Sequence, residues 1–334
     1  MLTAAACLAS KHDVRILWDD PEPIKKEALR RFEIDLSPIT FEKNIFNAQT
    51  SFLTRFFVSR GYDYIIVLSD GSIPFVGSKL ILHFQTPIEW VRYSIKTWIK
   101  LLRTQAVVTN SFFTKSFIDK KLHVKSTVIY PPVSIHEKKE KKENIILNVG
   151  RYGIKNAGSS YKKQEVLIET FQHMVKKSLA TWKLVLVVSG SEEELATLLE
   201  KKDALAKDHI EIIPNCTNDV LWVYYTKAKI YWHAAGFGED LILHPDRAEH
   251  FGIATVEAMG AGAVPIVMNA GGQREIVADD RNGYLWNTKE ELQQKTTAVI
   301  EDTKKWELLS TNAIKRAQDF NQERFCQEIN QLIT

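Results

Sequence analysis

The stretch EHFGIATVEAMGAGAVPIV, Glu249 to Val267, places one carboxylate before a Phe-Gly turn, a second about one turn inside the helix that follows, and a buried strand behind. Gly252 and the small residues Ala254, Ala258, Gly260, Ala261 and Gly262 let that helix begin abruptly and pack closely. Its first N–H groups have no partner within the helix and favour an anion such as a diphosphate. Glu249 and Glu257 can face the same opening from the two sides of the turn. Ionised carboxylates only accept hydrogen bonds, so the pair suits sugar hydroxyls.

Outward from this segment, short apolar runs alternate with helical stretches, the pattern of parallel sheets flanked by helices. One series comprises VRILW (14–18), YIIVL (64–68), KLILHF (79–84), AVVTN (106–110) and STVIYPP (126–132). A second comprises NIILNVG (144–150), KLVLVVSG (183–190), IEIIP (210–214), AKIYWHA (228–234), AVPIVM (263–268) and NGYLW (282–286). Two doubly wound domains are expected, 1–133 and 144–305, joined by the charged segment 134–143 as an exposed linker. The alternative for that segment is a solvated loop inside one domain.

Composition narrows the function. In 334 residues, 44 basic and 41 acidic side chains nearly balance, so no global field asks for nucleic acid. Cys7, Cys216 and Cys326 form no CxxC or Cys/His cluster; they read as separate thiols in a reducing compartment, with no zinc site. Neither a run of about 20 apolar residues nor a signal-peptide pattern occurs, and cytoplasmic residence is the expectation.

The Glu-x7-Glu spacing followed by Ala-Met-x-Ala-Gly resembles the signature of retaining GT-B glycosyltransferases of the family 4 type. NVGRY (148–152), KKQEVLIETF (162–171), NAGGQREIV (269–277) and NGYLW extend the resemblance from Ile145 to Trp286. Within that family, YWHAAGFGED and EHFGI most resemble lipid-linked oligosaccharide mannosyltransferases and their bacterial relatives. The resemblance implies an α/β GT-B fold, two Rossmann-like domains facing a cleft, and a last helix (306–334) crossing back to the first domain. It implies transfer of a hexose, mannose included, from a nucleotide diphosphate sugar to a glycan or lipid-linked hydroxyl acceptor, with retention and without a metal or other cofactor. A sugar-nucleotide epimerase, a phosphorylase and a non-catalytic sugar-nucleotide binder are the rival readings.

Arg151 follows a strand and Gly150, at the strand end where open α/β sheets hold ligands. By the resemblance, Arg151 and Lys162 neutralise the donor diphosphate, and Lys163 is the neighbouring candidate. Glu257 holds the ribose, while Glu249 meets the transferred sugar beside Phe251, Gly252 and Ile253. The bland readings are solvated cations and, for Glu249, a helix-capping acid. His233, before Gly236 to Gly238, lies after a strand at the ligand edge; a core histidine is nearly as good an account. His83 precedes Gln85-Thr86-Pro87 and resembles a His-Phe-x-x-Pro element contacting donor sugar or phosphate, with a structural histidine as the alternative. Asn110, Ser111 and Thr114 read as a helix cap. Asp240 and Asp246 flank a loop and are poor grounds for a cation.

Residues 2–10 read as a helix running straight into VRILW, so no strand precedes the first helix, which is odd for a doubly wound domain. By the resemblance Met1 falls inside the helix after the family's first strand and Gly-rich loop, and an incomplete N-terminus is expected. WVRYSIKTWIKLLR (90–103) mixes aromatic and aliphatic residues with cations. It reads first as a core-packed helix with a solvated basic face, and second as a peripheral contact at the inner face of a membrane.

Overall fold

A computed structural model describes the chain except residues 89, 92, 137–139, 156–158, 176–178, 204–207 and 334. Two compact units result: residues 1–134 with 321–334, and residues 135–320.

The first unit runs α1 (Leu2–Ala9), β1 (Arg15–Leu17), α2 (Pro21–Phe32), β2 (Thr40–Glu42), α3 (Phe52–Ser59), β3 (Tyr64–Ser69), β4 (Lys79–Phe84), α4 (Ile95–Leu101), β5 (Thr104–Thr109), α5 (Phe112–Leu122) and β6 (Thr127–Val128). Strands β3 to β6 form a parallel sheet in chain order. Because strand side chains alternate, Leu80 and Leu82 pack into one cluster with Val107, while Ile81 joins Val108 on the other face against α1. The expected single sheet is split in this unit. Among the described residues β1 and β2 pair only with each other, apart from the β3–β6 sheet.

The second unit runs β7 (Glu143–Arg151), β8 (Ile154–Lys155), β9 (Ser159–Ser160), α6 (Gln164–Val175), β10 (Lys183–Ser189), α7 (Glu192–Asp203), β11 (Ile210–Pro214), α8 (Asn218–Lys227), β12 (Ala228–His233), α9 (Ile253–Gly260), β13 (Val264–Met268), α10 (Gln273–Ile276), β14 (Tyr284–Trp286), α11 (Lys289–Glu301) and α12 (Thr303–Ala317). Its six-stranded parallel sheet has the order β11-β10-β7-β12-β13-β14. The chain winds outward from β7 through β10 to β11, then returns to lay β12 on the other side of β7. That reversal opens a crevice at the carboxyl ends of β7 and β12.

Three sequence expectations change. The segment 134–143 is not a free linker: residues 137–139 lie outside the described residues, but both flanks are tied to the second unit. Lys142 Nζ donates to the carbonyls of Tyr225, Ala228 and Ala261 at 3.4, 2.9 and 2.6 Å, at the carboxyl ends of α8 and α9. The ammonium supplies donors and positive charge where helix carbonyls lack both, and burial pulls its pKa down to about 8. Ile135 lies against Gly260, where an added Cβ would sit 2.8 Å from its Cγ2.

The long C-terminal helix is broken. After α12 a 3-10 turn covers Gln318–Phe320, and Asn321 then caps α13 (Gln322–Gln331), its Oδ1 accepting from Arg324 N at 2.8 Å. Only residues from 321 on belong with the first unit, so the returning segment starts later than residue 306. The break follows from Phe320, buried against the Phe251 ring at 5.3 Å between centroids, and from the asparagine cap beyond it.

The third change concerns the cysteines. Cys7 on α1 and Cys326 on α13 form a disulfide. The helical contact of α1 with α13, through Ala4, Leu8, Phe325 and Ile329, brings the two sulfurs together, a juxtaposition that a sequence separation of 319 conceals. Two of the three cysteines are therefore bonded rather than idle thiols, and Cys216 is free, so cysteine usage no longer points to a reducing compartment. Peptide mapping without reductant is expected to recover the two segments joined. Cys326→Ser should lower stability by about 2–5 kcal/mol. An unfolding midpoint indifferent to reductant would show that the link contributes nothing.

Candidate functional site

The second unit places the chemically distinctive side chains around the β7/β12 crevice. Gly150 and Arg151 end β7, and His233 ends β12. Arg151 is exposed; its carbonyl accepts from Gln164 Nε2 at 3.0 Å, which fixes the strand end against the start of α6. Lys162, on the loop before α6, has its stem beside Gly150, where an added Cβ would be 3.7 Å from Cγ.

Three predicted residues meet directly. Glu249 Oε2 accepts from Lys162 Nζ at 2.6 Å and lies 2.9 Å from His233 Nε2. Burial opposes the Glu249 charge, but the Lys162 ammonium and the His233 ring outweigh it and hold the carboxyl well below the ordinary range. Burial pushes His233 down, so the neutral ring donates through Nε2 to the carboxylate. Glu249 is thus an ionised, doubly anchored acceptor rather than a helix cap.

The Phe-Gly turn is set by close approach. Gly252 has φ 120°, and a Cβ there would lie 2.9 Å from Gln273 Nε2. Gly271, φ 58°, is pressed on the Glu249 carbonyl so closely that a Cβ would come within 2.1 Å. The NAGGQ segment therefore clamps EHFG from behind, with Gly272 N bonded to Glu249 O at 2.8 Å and Gln273 Nε2 to Thr255 at 2.9 Å. Phe251 is buried by this packing, whereas Ile253, first residue of α9, is exposed.

Glu257 lies within α9 and accepts from Tyr225 Oη at 2.7 Å. Its carboxyl is walled in by protein although the residue keeps some exposure, and burial raises its pKa to about 7 despite that bond. Tyr231, fully buried on β12, is within electrostatic reach of both Glu249 and Glu257 and so links the two acids. Neither tyrosine is singled out by the sequence: both sit in apolar runs and read as core, and their partners lie far along the chain. Lys163 is likewise committed elsewhere, with Nζ 2.5 Å from Glu239, which also holds Arg247 at 2.7 Å. Asp240 is occupied in capping the Ile242 and Leu243 N–H groups.

His83 belongs to the first unit, buried at the carboxyl end of β4. Burial, aided by the amino-terminal charge, pushes it down to about 4, and Nε2 has no partner among the described residues. Ser111 does cap α5, its Oγ accepting from Thr114 N at 3.0 Å, while Asn110 Nδ2 donates instead to the Gln85 carbonyl at 2.8 Å. A cleft of about 490 Å³ lined by Trp18, Asp19, Pro21, Phe41, Glu42 and Lys43 also belongs to this unit. Its carboxylates are engaged, Glu42 by Arg15 and Tyr62 and Asp19 by Asn44 N.

The family described as "Glycosyl transferases group 1" matches residues 134–316, which hold this whole cluster. The chain belongs to the group 1 glycosyl transferases. Among curated group 1 relatives, the GDP-Man:Man(3)GlcNAc(2)-PP-Dol alpha-1,2-mannosyltransferase of Dictyostelium discoideum is 24% identical over 218 residues, 59% of this chain and 40% of that protein. The Homo sapiens protein of the same name is 24% identical over 266 residues, 71% of this chain and 51% of that one. The chain thus spans about half or less of the length of these relatives. Among solved structures, Anabaena Alr3699/HepE in complex with UDP-glucose is 17% identical with a TM-score of 0.69, over 99% of this chain and 93% of that one. A glycosyltransferase from Rickettsia africae ESF-5 is 15% identical with a TM-score of 0.75, over 99% and 92%. These likenesses show the fold: α/β, of GT-B type, built from Rossmann-like units. No helix among the described residues is long and apolar enough to cross a membrane.

Proposed function

We propose that this group 1 glycosyl transferase moves a hexose from a nucleotide diphosphate sugar to a hydroxyl acceptor with retention at the anomeric carbon. The observation that carries the reading is the Lys162–Glu249–His233 cluster at the β7/β12 crevice, beside the Phe-Gly turn that opens α9. The diphosphate would draw Lys162 away from Glu249 and, with Arg151, share its charge; the freed carboxylate then accepts hydroxyls of the sugar. Glu257 takes the ribose. Still held by His233, Glu249 is placed for gripping, not for attack, which favours acceptor activation by the departing phosphate over an enzyme nucleophile. Mannose as the sugar, and a glycan or lipid-linked acceptor, draw support from the curated relatives' names.

Since the cluster brings its own cations, donor binding is proposed to need no divalent ion or other cofactor. Calorimetric titration with UDP- and GDP-sugars tests this, with affinity expected to be unchanged by a chelator. Saturating donor giving no heat, with or without magnesium, would remove the reading. Release of an epimer or a sugar phosphate in product analysis would reassign the chemistry.

A further inference from the structure

The sequence suggests that the 90–103 segment packs its apolar face into the core. The named apolar face does not: α4 has no buried residue, although Val91 before it is buried and Leu101 lies against the first unit's core. Ile95, Trp98, Ile99 and Leu102, at the i, i+3, i+4, i+7 spacing of one helical face, are 78%, 48%, 44% and 65% exposed. The preceding Trp90 and Tyr93 are exposed as well. α3 repeats the arrangement, with Phe52 at 63% and Phe57 at 62%, joined by Leu53 and Val58. The two helices adjoin: Arg103 lies over the Phe56 ring at 5.3 Å, and Lys100 is within electrostatic reach of Arg55 and Lys96.

The charge carried by these two segments has one sign: no Asp or Glu occurs between Glu42 and Asp63, nor between Glu89 and Asp119. Arg55 and Lys96 lie within electrostatic reach of Lys100, and Arg60 and Arg103 both approach Gly77, without a carboxylate from either segment to pair with. A protein interior would leave these cations uncompensated, and water alone would leave ten large apolar side chains wet. An interface between hydrocarbon and anionic headgroups satisfies both demands, taking Trp, Ile and Phe into the acyl boundary and leaving the cations at the phosphate level. We propose that α3 and α4 form a docking surface for an anionic lipid bilayer.

The proposal stands apart from the donor site and is tested on the full chain with phosphatidylcholine vesicles, with and without phosphatidylserine. Cosedimentation is expected only with the anionic vesicles and should decline with salt. Lys96→Gln with Lys100→Gln should weaken it about fivefold for each cation removed. Ile95→Ser with Trp98→Ser should abolish it. Since Ile95, Lys96 and Trp98 are exposed and Lys100 is only half-buried, both variants should keep the parent's unfolding midpoint and its calorimetric donor binding, which separates this surface from the reading of the crevice. Absence of sedimentation, or equal sedimentation with neutral vesicles, overturns the proposal. So does a dimer on sizing that Ile95→Ser with Trp98→Ser dissociates while vesicles have no effect, which would give the surface to a second copy of the chain.

Discussion

Glu257→Gln is expected to bind donor less tightly at pH 8 than the parent and yet to unfold at a higher temperature. Both effects come from one carboxyl. In the unfolded chain it titrates near 4.5, and in the folded chain burial raises it to about 7. Between those values the unfolded chain releases a proton that the folded one retains, so stability falls as pH rises through the window and levels off above it. The penalty at pH 8 is about 3 kcal/mol. Glutamine carries no charge to desolvate and can still accept from Tyr225, so the penalty disappears. Binding moves the other way. A carboxylate gripping ribose hydroxyls forms charge-assisted bonds that an amide cannot, a difference of about ten- to a hundredfold in affinity. Below about pH 7 the parent's affinity should fall about tenfold for each pH unit, and above it flatten, while the variant's stays level, so the two meet between about pH 5 and pH 6. Parallel pH profiles would place Glu257 outside the donor pocket, and a destabilised glutamine variant would show the acid to be structural.

Lys162→Ala is expected to lower turnover by about 10²–10³-fold, the usual consequence of removing one donor aimed at charge that develops as a bond breaks. Product formation from UDP- or GDP-sugars at saturating donor is the measurement. The substitution also strips Glu249 of its principal counter-charge. In the parent, the depressed carboxyl contributes stability that is complete above its ordinary value of 4.5 and is lost as pH falls below it. The variant should lose part of that contribution at neutral pH and show a shallower decline in acid. Lys162→Ala with Glu249→Gln should recover stability without recovering turnover. Turnover like the parent's in Lys162→Ala would remove this lysine from the chemistry.

The second unit was largely legible from its residues. Strands buried on both faces write themselves as continuous apolar runs, and glycines at close backbone approaches mark the turns between them. Lys162, Glu249 and His233 converge because the sheet's reversal places the ends of β7 and β12 side by side, a consequence of topology that motif spacing carries implicitly. Tyr225 and Tyr231 were hidden, since a phenol in an apolar run looks like packing until its partner is known. In the first unit, β2 was missed because its residues Thr40–Glu42 are few and mixed. Burial of α4 was misjudged for a different reason: periodicity gives the direction of an apolar stripe, not what lies opposite it.

Residues 321–334, with Cys326 among them, complete a unit that the chain begins at its first residues and leaves at residue 134. During synthesis, all of 135–320 leaves the ribosome before that closing piece exists. The second unit, although encoded later, is thus the first that can finish folding, inverting the N-to-C order usual for tandem domains.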